Sequence, residues 1–222
     1  MLKNLIKGLS NLITPRYCPV CGKKASREDI PLCRACGDVI SSLETPANLV
    51  LPPLDIIWSC LPYEGAVREC IKGLKYRKDL SLVPMLESVI KKTILKRPLF
   101  VEAPCVVVPV PSHFLRRMTR GIDHAELIAG AIARSFGVPL LRRALLKIRA
   151  TGPQTRLHRR ERLDNLRNAF RVSDKTALRG KHILLADDVV TTGATLSACA
   201  DELIRNGALS VTGITLARSM RV

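Results

Sequence analysis

Apolar and polar positions follow a regular alternation of two patterns from about residue 55 to the end of the chain. Short continuous apolar runs, typical of strands buried on both faces of a sheet, occur at residues 56–61, 105–110, 182–186 and 211–216. Stretches with helical spacing lie between them, at residues 65–76, 80–96, 123–136 and 194–206. Two further strands are expected at 140–148 and 169–172. This alternation predicts an α/β domain with a parallel sheet flanked by helices.

The first fifty residues have a different organisation and are predicted to form a small separate module, with the α/β domain over residues 51–222. Near the N-terminus, apolar residues recur at helical spacing: Leu2, Leu5, Ile6, Leu9, Leu12 and Ile13. We expect this amphipathic helix to dock on the protein itself, with a membrane surface or a partner as the alternative. Lysines and asparagines interrupt its apolar run, and no run of about 18 apolar residues occurs. We therefore expect a cytoplasmic protein without an integral membrane segment.

Two C-x-x-C pairs, Cys18/Cys21 and Cys33/Cys36, lie 11 residues apart in this module. Each pair places two thiolates on one side of a tight turn, and two such turns complete the tetrahedron that Zn²⁺ prefers. Each pair is followed directly by a glycine, which suits a tight turn. Disulfides or a redox motif are the alternatives, although no secretion signal favours them. We predict a closed, structural zinc site; the other four cysteines are expected to be buried thiols.

The strongest motif occupies residues 183–195. An apolar strand is followed by Asp187 and Asp188, and a Thr-Thr-Gly turn then opens a helix. Ligands in open α/β sheets bind outside the carboxyl ends of the strands, where helix N-termini offer amides to phosphate. A plain helix cap is the alternative, but a cap needs one acid rather than two.

Each residue type in this motif suits a phosphoribosyl group. The carboxylates of Asp187 and Asp188, the candidate catalytic residues, can accept hydrogen bonds from vicinal ribose hydroxyls, directly or through Mg²⁺. The threonine hydroxyls can donate to phosphate oxygens, and the glycine allows the backbone to approach closely. We assign phosphate binding to the loop residues Val189, Val190, Thr191, Thr192, Gly193, Ala194 and Thr195.

Charge adds a polyanionic partner to this picture. The 222 residues carry a formal charge of +17, with 15 basic and 6 acidic side chains between residues 101 and 175. Such an excess favours nucleic acid, phosphorylated metabolites or an anionic membrane. Aromatic residues make up only 4% of the chain, so base stacking has few candidates. Any binding of single-stranded DNA is therefore expected to be led by the phosphate backbone.

The segment 183–195 resembles the signature of type I phosphoribosyltransferases along its full length. With the cysteine pairs, it makes the whole chain similar to the ComF/GntX-like competence family, which joins a zinc ribbon to a phosphoribosyltransferase domain. The other matching pieces, in the family's order, are Leu74-Lys75-Tyr76, Val108-Pro109-Val110-Pro111, Arg120-Gly121, Pro153-Gln154, Glu161-Arg162 with Asn165, and Ala169-Phe170. One departure is Ile122-Asp123-His124, where the family usually has Phe-Asn-Gln.

The resemblance implies a five-stranded parallel core that binds PRPP with Mg²⁺ across its strand ends. It also implies that residues 109–120, with Arg120, supply the pyrophosphate-side loop, and that residues 149–170 are a hood loop. The candidate residues of this hood loop are Arg149, Gln154 and Arg162.

Three functions remain open at this point. The chain is expected to be a phosphoribosyltransferase for an unknown acceptor, a non-catalytic module that binds single-stranded DNA and a helicase-like competence partner, or a regulator that senses PRPP. The family association is with DNA uptake in natural transformation.

Overall fold

The computed structural model describes residues 17–26, 31–77, 79–96, 105–112, 124–149, 166 and 168–219. The predicted N-terminal amphipathic helix lies outside these residues. In chain order the elements are α1 (Arg34–Ser42), β1 (Leu49–Leu51), β2 (Leu54–Pro62), α2 (Gly65–Arg77), a 3₁₀ turn (Leu80–Leu82), α3 (Val83–Lys96), β3 (Cys105–Pro109), α4 (His124–Phe136), β4 (Leu145–Lys147), β5 (Phe170–Val172), β6 (His182–Val190), α5 (Ala194–Arg205) and β7 (Ser210–Arg218).

The central sheet has five strands in the order β1-β2-β7-β6-β3. Strands β2, β7, β6 and β3 are parallel, whereas the edge strand β1 pairs with β2 in the antiparallel direction. The predicted α/β fold with a mostly parallel sheet flanked by helices is confirmed. The expectation of five parallel strands was wrong for β1, because this short strand reaches β2 through a tight turn that only an antiparallel pair allows.

Helices cover both faces of the sheet and explain why its strands are apolar throughout. On one face, Leu184 and Ala186 of β6 lie in a buried cluster with side chains of α2, α3 and α4. On the other face, Ile183 and Leu185 pack in a second cluster with α5 and the β4–β5 hairpin. Alternate residues of one strand thus serve two cores.

Two strand predictions differ from the structure in extent. Of the predicted strand 140–148, only Leu145–Lys147 is a strand, and it pairs with β5 in a small separate sheet. Leu140 forms a single parallel bridge to Val107, after which the chain turns at the polar Arg142-Arg143 pair. In contrast, β6 runs past its predicted end at residue 186 and includes both aspartates. Among the described residues, no helix is long and apolar enough to span a membrane.

Candidate functional site

Three parallel strands end side by side at the carboxyl edge of the sheet. Pro62 of β2 and Val190 of β6 are both in register with Arg218 of β7. Strand β3 ends earlier, with Pro109 opposite Ala186. The last four residues of β6, including both aspartates, therefore extend past the strand pairing of β3. This edge is where open α/β sheets bind their ligands.

The turn after β6 depends on Gly193, which precedes helix α5. Gly193 has φ of 78° and ψ of −1°, a left-handed conformation that costs other residues free energy. A Cβ at this position would lie 2.3 Å from Cδ2 of Leu51 in β1. The hydroxyl of Ser197 in the first turn of α5 donates to the carbonyl of Pro52 at 3.1 Å. The β1–β2 hairpin thus lies directly against the turn after β6.

The N-terminus of α5 points its first amides at the space beyond β6. The carbonyl of Gly193 accepts the amide of Ser197 at 2.9 Å, as in a regular helix start. The hydroxyl of Thr192 accepts the amide of Ala194 at 3.4 Å. Thr191 is exposed, and Thr195 is half-buried. Helix-start amides with nearby hydroxyls are suited to binding a phosphate.

Asp187 and Asp188 project from β6 toward opposite faces of the sheet, as consecutive strand residues do. The Asp188 carboxylate contacts Lys75 of α2 on one face. On the other face lies Cys199 of α5, where burial chiefly, and Asp187 next, raise the pKa of the thiol. The Asp187 carboxylate also turns back to accept the amide of Asp188 at 2.8 Å.

Lys75 is the counter-ion of this acidic pair. Its Nζ lies 2.8 Å from Oδ2 of Asp188, and the two side chains are 24% and 16% exposed. Burial acts to lower the pKa of Lys75, but the charge and hydrogen bond of Asp188, aided by Asp187, raise the pKa above its usual value. The site therefore contains an ammonium group beside two carboxylates.

A buried polar row continues from the acidic pair into the sheet. Asp187 is in register with Thr215 of β7, which is in register with Ser59 of β2. The hydroxyls of Ser59 and Thr215 hydrogen-bond to each other at 2.7 Å, and both residues are buried. The sequence did not single out these two residues, because each lies within an apolar run and only the sheet register brings them together.

Some of the remaining predicted site residues are described by the structure, and others lie outside the described residues. Val189 is half-buried, and Val190 and Ala194 are buried, so these three supply backbone and packing at the loop. Arg149 is exposed, two residues after the end of β4. Outside the described residues lie Arg120, Gln154, Arg162, Ile122 and Asp123. His124 is the first residue of α4 and is buried.

The four predicted metal-ligating cysteines come together in the N-terminal module. The Sγ atoms of Cys18, Cys21, Cys33 and Cys36 all lie within 4.8 Å of one another. Sulfurs in tetrahedral zinc sites are roughly 3.8 Å apart, given Zn–S bonds of about 2.3 Å. All eight cysteines are thiols rather than disulfides. This cluster fits a closed zinc site, in which all four sulfurs would hold the metal and none would be left for catalysis.

Backbone hydrogen bonds shape the two knuckles. The amide of Gly22, at φ of 73°, donates to the carbonyl of Cys18 at 2.9 Å. The amide of Gly37 donates to the carbonyl of Cys33 at 3.0 Å in the same way, but Gly37 lies within α1, where helical φ is available to any residue. Burial acts to raise the pKa of Cys18, but backbone hydrogen bonds from Cys33, Cys21 and Val20 lower it to about 7. Burial and the neighbouring thiols raise the pKa of Cys36.

The cysteine module packs directly on helices α2 and α3. Cys18, Leu32 and Ile40 belong to the same buried cluster as α2 and α3. The guanidinium of Arg77, near the end of α2, donates to the carbonyl of Pro19 at 3.3 Å. Helix α2 thus makes two contacts: Arg77 contacts the cysteine module, and Lys75 contacts Asp188.

Comparison with known proteins identifies a domain and a family for this chain. The family model described as "Phosphoribosyl transferase domain" matches residues 123–221. DNA utilization protein YhgH of Salmonella typhimurium is 30% identical over 208 residues, covering 91% of this chain and 90% of that protein, and YhgH of Escherichia coli K12 gives the same values. Competence protein ComFC of Bacillus subtilis is 29% identical over 208 residues, covering 93% of this chain and 80% of that protein.

Among solved structures, glutamine phosphoribosylpyrophosphate amidotransferase of B. subtilis, complexed with ADP and GMP, aligns with a TM-score of 0.39 at 20% identity. The alignment covers 60% of this chain and 26% of that protein. The extent of the YhgH match, the matched phosphoribosyl transferase domain and the four-cysteine cluster lead to one conclusion. The chain belongs to the ComF-like family of DNA utilization and competence proteins, with a phosphoribosyltransferase domain behind an N-terminal cysteine module.

Proposed function

We propose that the carboxyl edge of the sheet binds PRPP, or a closely related phosphoribosyl compound, together with Mg²⁺. The observation that carries this proposal is the juxtaposition of two carboxylates and a helix start, separated by a glycine in the left-handed conformation. Carboxylates suit vicinal hydroxyls and a hard cation, and helix-start amides suit a phosphate. A phosphoribosyl group carries vicinal hydroxyls and a phosphate a short distance apart, so a site for it needs carboxylates and helix-start amides close together.

The residues divide the ligand between them. The amides from Gly193 onward, with the hydroxyls of Thr191 and Thr195, bind the 5-phosphate. Asp187 and Asp188 accept from the ribose hydroxyls and hold Mg²⁺ directly or through its water. When bound, Mg²⁺ supplies positive charge to the pyrophosphate oxygens. Arg120, and the hood-loop residues Arg149, Gln154 and Arg162, are proposed for the pyrophosphate side.

The proposed place of this activity is DNA uptake in the cytoplasm, with single-stranded DNA and a helicase-like competence protein as partners. Relatives that cover most of the chain are named for DNA utilization and competence. The formal charge of +17 supports a polyanionic partner. Zinc in the four-cysteine cluster is proposed to hold the N-terminal module in its fold.

Incubation with PRPP and Mg²⁺, with and without single-stranded DNA, separates an enzyme from a binding module. Pyrophosphate released in proportion to time would identify turnover, and a rise with DNA would identify DNA as acceptor or activator. Binding of PRPP without pyrophosphate release would favour a non-catalytic module or a PRPP sensor. Absence of any PRPP binding, with or without DNA, would contradict the proposed function.

A further inference from the structure

Positive charge is also concentrated at the end of the sheet opposite to the phosphate loop (residues 189–195). Two described segments, 141–149 and 168–181, form the β4–β5 hairpin and the turn that leads into β6. Together they carry eight Lys and Arg residues against one acid, Asp174. Lys147 and Arg149 lie at one end of the hairpin; we name the other six the amino-edge basic surface, because the turn after Val172 leads to the first residue of β6: Arg142, Arg143, Arg171, Lys175, Arg179 and Lys181.

This surface has a fixed backbone. The amide of Ser173 donates to the carbonyl of Ala144 at 2.9 Å, which joins the two segments. The amide of Gly180 donates to the carbonyl of Gly207 at 2.8 Å, and the amide of Leu209 to the carbonyl of Lys181 at 2.9 Å. Buried Leu145 and Leu178 anchor the segments below. The basic side chains are therefore presented on ordered backbone next to the sheet.

The charges on this surface are not neutralised within the described part of the chain. Five of the six residues are exposed and Lys181 is half-buried, and none of them takes part in an ion pair between described residues. The one acid, Asp174, already accepts the amides of Thr176 and Ala177 at 2.9 and 3.2 Å. Nearby Glu202 accepts the amide of Val172 at 3.1 Å. Cations on one surface repel one another, and a bound polyanion relieves that repulsion.

The amino-edge basic surface is too far from the phosphate loop to be part of the same small-ligand site. Lys181 precedes the first residue of β6, whereas Asp187 and Asp188 lie near its last residue. A strand of nine residues spans roughly 26 Å from first to last residue, at about 3.3 Å per residue. A single PRPP molecule held by the loop therefore does not use these cations.

The chemistry of the surface favours a nucleic-acid backbone. Four of the six residues are arginines, whose planar fork fits phosphate oxygens with two parallel hydrogen bonds. The one aromatic residue of the two segments, Phe170, is buried and offers no face for base stacking. Contacts to phosphates without base stacking give sequence-tolerant binding.

We propose that the amino-edge basic surface binds the phosphate backbone of single-stranded DNA, separately from the phosphoribosyl site. The inference rests on the proposed role in DNA handling. It gives the molecule two anion sites at opposite ends of one sheet, one for a small phosphoribosyl ligand and one for a polymer.

The test compares two triple variants that remove equal charge. Arg143→Ala/Lys175→Ala/Arg179→Ala neutralises the surface, and Arg68→Ala/Lys91→Ala/Lys96→Ala neutralises exposed residues of α2 and α3. Binding of labelled oligo-dT is followed by fluorescence anisotropy over a range of salt, and PRPP binding by calorimetry. The surface variant should weaken DNA binding about tenfold or more and flatten the log–log salt slope by about 2, at about 0.7 per phosphate. The control should change DNA affinity less than about twofold, and both should keep wild-type PRPP binding.

Several results would overturn the proposal. These are equal loss of DNA binding in the two variants, an unchanged salt slope, or loss of DNA binding in Asp187→Asn/Asp188→Asn. A surface variant that loses binding to phosphatidylserine-containing vesicles but keeps DNA binding would instead identify a membrane contact. Arg143→Lys/Arg179→Lys keeps the charge and should retain most of the slope, which guards against a folding defect. If the wild type fails to bind PRPP but the surface variant alone loses DNA, the proposed function falls and this surface stands.

Discussion

Lys75 and Asp188 form an ion pair, and both side chains are also expected to contact the proposed phosphoribosyl ligand. The pair is mostly shielded from water, so it is more than an exposed surface contact. A phosphoribosyl ligand would compete with Lys75 for Asp188, and Lys75 would in turn attract ligand oxygens. Lys75 therefore belongs among the residues expected to control affinity.

Lys75→Met should lower PRPP affinity about tenfold, or about 1.4 kcal/mol of binding free energy, because it removes a charge-assisted contact beside a polyanion. The matched control is Lys72→Met on the same helix, where Lys72 pairs with Glu69 at 2.9 Å and is 39% exposed. By calorimetry, the PRPP affinity of Lys72→Met should stay within about twofold of the wild-type affinity. Unchanged affinity in Lys75→Met would remove this residue from the site.

The pH dependence of folding provides a second check on Lys75. Its pKa is raised in the folded state, so the folded protein holds this proton more tightly than the unfolded chain. The resulting stability is fully present below the unfolded pKa of about 10.4 and is lost as pH rises through the folded pKa. The difference in unfolding free energy between wild type and Lys75→Met should thus be constant between about pH 6 and 9 and shrink above about pH 10.5. Urea unfolding at each pH measures it, and a difference that grows with pH would contradict the assignment.

Gly193 can be tested against a glycine that differs only in its surroundings. Gly193 and Gly137 both have positive φ, but a Cβ at Gly137 would meet nothing within 4 Å. Gly137→Ala should cost about 1 kcal/mol of unfolding free energy, from backbone conformation alone. Gly193→Ala should cost more, because its Cβ meets Leu51, and should also weaken PRPP binding. Adding Leu51→Ala to Gly193→Ala should recover part of the additional loss of unfolding free energy. Equal losses at the two glycines would show that the Leu51 side chain moves aside at no cost in stability.

At the residue scale, the sequence predicted chemistry where a motif has a short and characteristic spacing. The aspartates and Gly193 were identified because strand, acids, turn and helix start follow one another in the chain. The contact of Lys75 with Asp188 joins residues from two distant segments, and the Ser59–Thr215 hydrogen bond depends on sheet register. Neither can be read from spacing along the chain.

Helix α2 is the element that connects the cysteine module to the proposed phosphoribosyl site. Val67, Cys70, Ile71 and Leu74 bury one face of it, which fixes its position on the sheet. Arg77 contacts the cysteine module and Lys75 contacts Asp188. A disturbance of the module is therefore expected to reach the ligand site through this helix.

Replacing Cys33 and Cys36 with Ser should release the zinc, which we expect at about one ion per chain. Residues 17–45 should lose stability, and amide exchange should increase in the last turn of α2 because Arg77 loses its ordered partner. Metal analysis and hydrogen exchange measure the two effects. Cys105→Ser, in a buried strand away from the cluster, is the control and should keep its zinc. Protein purified without chelator that contains no zinc would end this prediction.

Elements with a clear period were predicted well, and elements set by tertiary contacts were not. Helices α2, α4 and α5 begin and end within about two residues of their expected bounds, a usual margin for helix ends. Strand β1 has only three residues, and its pairing is supplied by β2 rather than by its own pattern. The strand predicted at 140–148 is shortened because the sheet uses Leu140 and Leu145 in different pairings.

On the scale of the whole molecule, the two proposed anion sites lie at opposite edges of the sheet. The carboxyl edge holds the aspartates and the start of α5, whereas the amino edge carries unneutralised Arg and Lys residues. The overall charge of +17 was visible in the sequence, but its position was not, because it depends on how the hairpin folds against β6.

The central claim, that Asp187 and Asp188 bind a phosphoribosyl ligand with Mg²⁺, is tested most directly by calorimetry of PRPP binding. Asp187→Asn/Asp188→Asn removes acceptor capacity and negative charge at equal side-chain size, and Asp55→Asn/Asp201→Asn makes the same change at two exposed positions. We predict Mg²⁺-dependent PRPP binding in wild type and in the exposed-site control, and none in the Asp187/Asp188 variant, with all three cooperatively folded under the conditions of the measurement. Equal PRPP affinity in the Asp187/Asp188 variant and wild type would contradict the site.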